Sequence, residues 1–188
     1  MATAESVSAK IDTIRNCTIE IKNMSNVYNL INPQDYTFSG SCCDPHPATI
    51  SSNKTGICAF TKTQFSARGA VGVLTYDLFH IKNQVCTERM AILFSVPFDY
   101  TQYVNVLGVG VFDITCECNK GLYDYMYYGK NPRHFTSIRA NVSGITYKAQ
   151  MVELRADMSN VGKAIMKLEI VDIPDGGPVV EIKHCGEY

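Results

Sequence analysis

The 188-residue chain has no tryptophan, no long apolar run and no surplus of either charge. No stretch approaches the roughly 20 apolar residues that cross a bilayer as a helix, so a helical membrane span is excluded. Residues Met1 to Val7 lack the basic start and apolar centre of an export signal, and the chain is read as made soluble. With 17 Lys and Arg against 18 Asp and Glu, the cations are scattered rather than gathered into a patch. Nucleic acid is therefore not an expected partner.

Motifs of catalysis are equally scarce. There is no Gly-x-Ser-x-Gly elbow, no cysteine-protease signature and no phosphate-cradling glycine loop with its lysine. An enzyme is not expected, and neither is a cofactor. Eight cysteines stand at positions 17, 42, 43, 58, 86, 116, 118 and 185, without paired Cys-x-x-Cys spacing. They read as free thiols. Cys42, Cys43 and His46, with His184 and Cys185, are the nearest approach to a metal set, but adjacent cysteines rarely share one tetrahedral ion. No metal is expected there.

The patterns that are present describe a β protein. Ala4, Val7, Ile11 and Ile14 recur at helical steps, which predicts a short amphipathic helix ending near Asn16. From Cys17 to Ile21 the apolar period changes to two, as in a half-buried strand. Turn formers crowd Asn32 to Thr55 and predict loops. Strands are expected at Gly56–Lys62, Gly69–Tyr76, Ala91–Val96 and Val106–Ile114, with Asp77–Arg89 as a polar connection. Asn119 is placed to cap a helix over Lys120–Tyr128. Beyond it, strands are expected at Ser137–Val142, Gln150–Ala156 and Lys163–Val171, with an edge strand at Val179–Lys183.

Many short strands and two short helices predict a mainly β, single-domain β-sandwich flanked by two α-helices. Residues 1–16 form the helical segment and residues 17–188 the sandwich with a C-terminal extension. The run Ala91-Ile-Leu-Phe-Ser-Val-Pro97 breaks into a loop bearing Phe98, Tyr100 and Tyr103. Aromatics on a loop held by a rigid strand suggest recognition. Tyr123, Tyr125, Tyr127 and Tyr128 fall on the second helix. Ring faces attract a quaternary ammonium group while hydroxyls bond an adjoining phosphate, a combination suited to choline. An aromatic stripe at helical spacing equally suits a core.

Three segments carry a resemblance. Ala70-Val71-Gly72-Val73-Leu74-Thr75-Tyr76, then Ala91-Ile-Leu-Phe-Ser-Val-Pro-Phe-Asp-Tyr100, then Leu122-Tyr123-Asp-Tyr-Met-Tyr127-Tyr128 resemble ordered segments of the actinoporins, pore-forming cytolysins of sea anemones. Lys163 to Ile170 extends the likeness. The resemblance implies a phosphocholine site made of Ser39, Val71, Ser95, Pro97, Tyr103, Tyr123, Tyr127 and Tyr128. It further implies self-association on sphingomyelin-containing membranes and their permeabilisation to cations by an inserting helix that bears Ala4, Val7, Ile11 and Ile14. Export by an unconventional route to act at target-cell membranes is implied as well, with a cytoplasmic protein as the alternative. The family's interfacial tryptophans fall at Gln102, Val106 and Leu107 here, and an arginine of the family falls at Phe38. A non-lytic, lectin-like protein binding glycan or lipid is the alternative function, because fungal fruit-body lectins share the sandwich.

Overall fold

The structure is a computed structural model, describing residues 1–130, 133–140 and 143–174. In chain order the elements are α1 (Ala4–Ser8), β1 (Asn16–Asn23), β2 (Tyr28–Ser39), β3 (Ser41–Asp44), β4 (Thr49–Ile50), β5 (Lys54–Thr61), β6 (Ala70–His80), β7 (Val85–Val96) and β8 (Val106–Asp113). Then come α2 (Lys120–Tyr128), β9 (Phe135–Arg139), β10 (Ile145–Lys148), β11 (Val152–Met158) and β12 (Lys163–Asp172). Two six-stranded sheets stack, ordered β10-β11-β12-β1-β5-β3 and β4-β2-β6-β7-β8-β9. The expected mainly β sandwich with two short helices is the observed fold. β1 and β12 run parallel, while the other pairs are antiparallel.

Alternation along the strands sorts two cores. Leu74, Tyr76 and Leu78 of β6 and Met90, Ile92 and Phe94 of β7 point between the sheets, where they meet Ile19, Phe60, Leu154 and Leu168. Val71 and Val73 of β6, with Ala91 and Leu93 of β7, point the other way, to Leu122, Tyr123 and Met126 of α2. β7 is thus covered on both faces, which is why its second half reads as a continuous apolar run rather than an alternating one. α2 forms where its cap predicts: the Asn119 side chain accepts from the Leu122 amide at 3.1 Å. Gly129 lies just past its end and donates its amide to the Tyr125 carbonyl.

Several expectations are corrected. The first helix stops at Ser8, so Ile11 and Ile14 lie beyond it. The Asn16 side chain donates to the Thr13 carbonyl at 2.9 Å, and the Thr13 hydroxyl meets that of Thr61 at 2.6 Å. Such side-chain bonds compete with helix and hold residues 13–16 out of it. β2 continues to Ser39 through the expected loop, because Asn32 takes a positive φ of 52° and Asn32–Pro33 sits at a register shift between Ile31 and Gln34. A bulge absorbs the proline's missing donor. Asp77–Arg89 is not a connection but the ends of two long strands, turning at residues 81–84. The charges that disguised it neutralise each other: Asp77 is opposite Arg89 in register, and Arg89 Nε donates to Asp77 Oδ1 at 2.7 Å. β10 is a strand that the sequence pattern does not predict. β9 starts at Phe135 rather than Ser137, and Val142 and the tail strand Val179–Lys183 lie outside the described residues. Cys116 is disulfide-bonded, which corrects the free-thiol reading at that position.

Arg89 also reaches across to the Cys116 carbonyl, ahead of α2, so the Asp77–Arg89 pair braces the segment that places the helix. Both side chains are largely buried. Asp77→Ala leaves the guanidinium buried without its carboxylate and is expected to lower stability by about 3 kcal/mol. The check is a reduced urea midpoint at unchanged slope.

Candidate functional site

The site begins as a row across the second sheet. Ser39 of β2 pairs with Val71 of β6, and Val71 with Ser95 of β7, so the three residues stand side by side on neighbouring strands. A register shift at Phe38 re-aims that ring. β6 can begin beside β7 only because position 69 is glycine: a Cβ there would stand 1.9 Å from the Val96 carbonyl oxygen. The Ser39 hydroxyl donates to the Gly69 carbonyl, which fixes the row's edge.

The loop after Pro97 is held rather than loose. Asn105 is fully buried and accepts the Tyr100 hydroxyl at 2.7 Å while donating to the Ser159 and Val161 carbonyls at 3.0 Å each. The Asp99 carboxylate accepts from the Thr101 amide and hydroxyl, which keeps it ionised to lower pH than usual. Arg15, just ahead of β1, donates to the Pro97 and Phe98 carbonyls at 3.0 Å and lies 4.4 Å from the Tyr100 ring centre. From this braced loop Tyr103 projects 55% exposed.

α2 supplies the facing wall. Phe38 stacks on Tyr123 at 5.0 Å, Tyr123 on Tyr127 at 5.6 Å, and Tyr128 stands edge-on to Tyr127 at 4.8 Å. Offset and edge contacts of this kind are the favoured aromatic geometries. The rail grades from buried Tyr123, 3% exposed, to Tyr128, 65% exposed. Burial raises the Tyr123 phenol above the usual tyrosine range, with Tyr127 and Tyr128 adding to the shift, and burial raises Tyr127 too. Both phenols remain neutral donors at physiological pH.

Between the walls lies a groove of about 440 Å³, and Ser39, Val71, Ser95, Pro97, Tyr103, Tyr123, Tyr127 and Tyr128 all line it. Phe98 of the aromatic loop lines it too, as do Arg68 and Asp99, which sequence reasoning missed. The one available signal was Arg68 directly before Gly69 and the glycine-rich strand. The other two tyrosines of the loop and helix face elsewhere: Tyr125 meets Phe112 and Phe135, and Tyr100 lies under Arg15. Chemically the groove offers ring faces for a cation, hydroxyls for an anion, and one side chain of each charge at its margin. The N-terminal set lies apart from it. Ala4 is buried, Val7 and Ile11 are half-buried and Ile14 is exposed, and α1 packs on β1, β5 and β12. His46 of the candidate metal set meets Asp35 at 2.9 Å, and His184 and Cys185 lie outside the described residues.

Comparison with known proteins bears on the ligand such a groove would take. The family model described as Sea anemone cytotoxic protein matches residues 6–172. Deep-sea actinoporin Cjtox I of Cribrinopsis japonica is 34% identical over 97 residues, 52% of this chain and 41% of that protein. The chain thus matches less than half the length of that relative. Bryoporin of Physcomitrium patens is 26% identical over 156 residues, 83% of each chain. Among solved structures, the lipid binding protein Nakanori superposes with a TM-score of 0.63 over 90% of this chain and 76% of its own, at 11% identity. At that identity the likeness speaks for the fold alone.

The raised Tyr123 phenol has a measurable consequence. A group whose folded-state pKa is raised contributes stability that is whole below the unfolded value, about 10 for tyrosine, and is lost as pH rises through the folded value. Tyr123→Phe is expected to flatten the loss of stability above about pH 10. Urea midpoints across alkaline pH measure this, and an unchanged pH slope would contradict the burial of the phenol.

Proposed function

The chain belongs to the sea anemone cytotoxic protein family, and on that premise we propose that it binds phosphocholine headgroups in the groove between α2 and the β6–β7 strand ends. Sphingomyelin is the lipid of choice. On the bilayer the protein self-associates and permeabilises the membrane to cations through residues 1–16. The observation that carries the binding half is convergence: eight residues from β2, β6, β7, the Pro97 loop and α2 line one groove. The quaternary ammonium lies against the tyrosine faces, and the phosphate accepts from phenol hydroxyls and from that of Ser95.

Family membership supports the permeabilising half, and the docking of α1 is compatible with its release. Its visible ion pair, Glu5 to Lys167 at 2.8 Å, is solvent-exposed, and such pairs hold weakly. Length limits how a released segment sits in the bilayer. α1 as folded spans about 7.5 Å, and even fifteen helical residues reach only about 22 Å against a hydrocarbon core of about 30 Å. The segment therefore lies along the interface, with Lys10 toward the headgroups, unless the bilayer thins around it. The five-residue α1 also favours a second reading, in which the protein binds lipid without lysis.

Two measurements separate these readings. Tyr103→Ala and Tyr128→Ala, both at exposed positions, are expected to weaken binding to sphingomyelin vesicles about tenfold each. Unchanged binding removes the headgroup site. Dye release from the same vesicles is expected from the full chain and not from a chain lacking residues 1–9, and binding without release would establish the non-lytic reading.

A further inference from the structure

Next to the groove, residues 62–69 join β5 to β6, and both ends of this loop rest on the base of the Pro97 loop. Lys62 Nζ lies 5.6 Å from the Phe98 ring centre, and Gly69 packs against the Val96 carbonyl. The turn between them is gathered on one acceptor: the Thr63 carbonyl receives Lys62 Nζ at 2.8 Å, the Ser66 hydroxyl at 2.8 Å and the Ser66 amide at 3.4 Å. At its tip stands Phe65, fully exposed at 103% and held at a φ of 60°. A bulky residue in the left-handed region is uncommon and persists only where its surroundings impose it. In water the ring and the backbone are both unfavourable, and no ring contact of Phe65 occurs among the described residues.

A single exposed ring needs no explanation by itself. Its neighbours give this one a direction. Arg68 lines the groove and has no acidic partner among the described residues. Three residues extend at most about 11 Å, so Phe65 is that close, backbone to backbone, to a residue of the groove wall. Phe38, Tyr103 and Tyr128, exposed rings that line the groove, stand on its rim. The chain also has no tryptophan to seat in a membrane interface.

We infer that the 62–69 loop is a lipid-contacting arm, with Phe65 entering the interfacial layer of a phosphocholine bilayer and Arg68 meeting the headgroup phosphate. The inference rests on the headgroup reading of the groove. Charge complementarity and continuity with the groove select the occupant. Arg68 supplies the cation that a phosphate diester seeks beside ring faces that seek the choline. A soluble phosphocholine ester would engage Arg68 alone, whereas a bilayer engages Arg68 and Phe65 together. Phe65 then gains by burial what it forgoes in water.

The absence of tryptophan provides the test. Phe65→Trp installs the molecule's sole indole at the tip of the arm. With vesicles of sphingomyelin and phosphatidylcholine, its emission is expected to shift to the blue and to be quenched by lipids brominated in their upper acyl chains. Phe65→Gly, which removes the ring and relaxes the backbone, is expected to weaken vesicle partitioning about tenfold without lowering thermal stability. Arg68→Gln is expected to reduce binding of free phosphocholine several-fold while leaving binding of choline unchanged. If the Phe65→Trp protein sediments with vesicles while its emission stays that of exposed indole, the arm is wrong and the groove stands. If the native chain neither sediments with vesicles nor binds phosphocholine, the groove reading falls and takes the arm with it.

Discussion

Burial of β7 on both faces is the constraint on which the arrangement depends. Met90, Ile92 and Phe94 fill the space between the sheets, while Ala91 and Leu93 fill the space beneath α2. A strand clamped in this way has no freedom of register, since a slip of one residue would exchange its two faces. Everything at its end inherits that fixity. Ser95 stands beside Val71 and Ser39, Pro97 ends the ladder, and the loop leaves at a defined point. The helix is fixed by the same contacts, because Leu122, Tyr123 and Met126 cluster with Val71, Val73, Ala91 and Leu93 of the sheet.

The tyrosines show how one residue type divides between scaffold and surface. Tyr125 faces inward to Phe112 and Phe135, and Tyr100 supports Arg15 and bonds Asn105. Tyr123, Tyr127 and Tyr128 form a graded rail, its inner ring fixed by the core and its outer ring in solvent. The inner ring needs no ordering when a ligand arrives, which lowers the entropic cost of recognition. Core packing and recognition are thus successive positions on one helix face rather than competing explanations of it.

Where local chemistry and tertiary packing agree, the sequence is readable. Lys120–Tyr128 is legible because Asn119 caps it, and Ala91–Val96 because double-sided burial leaves an unbroken apolar run. Legibility fails where packing overrides local signals. Asn32 and Pro33 look like the start of a loop, yet a bulge carries β2 past them. Asp77 and Arg89 look like solvent-facing charge, yet each lies opposite the other and cancels it. Ile11 and Ile14 keep helical spacing, but the helix stops at Ser8, and Thr13 and Asn16 turn their side chains onto the backbone and hold that stretch out of it. The tyrosines of the groove are candidates on their own chemistry, but the full set of eight came from resemblance, since no spacing along the chain relates Ser39 to Tyr128. Arg68 and Phe65 sit in a turn-rich stretch whose composition says only that the chain bends there.

The place of β1 within its sheet has a mechanical consequence. It is bonded along one edge to β12 and along the other to β5, in the interior of the sheet, and the N-terminal fifteen residues hang from its first residue. Tension on that leader pulls β1 along its own axis, loading two ladders of hydrogen bonds in shear at once rather than opening them one after another. Arg15, bonded to the Pro97 and Phe98 carbonyls, is the last grip before the ladders begin. A pull on the leader meets this grip before it reaches the sandwich and the groove it shapes.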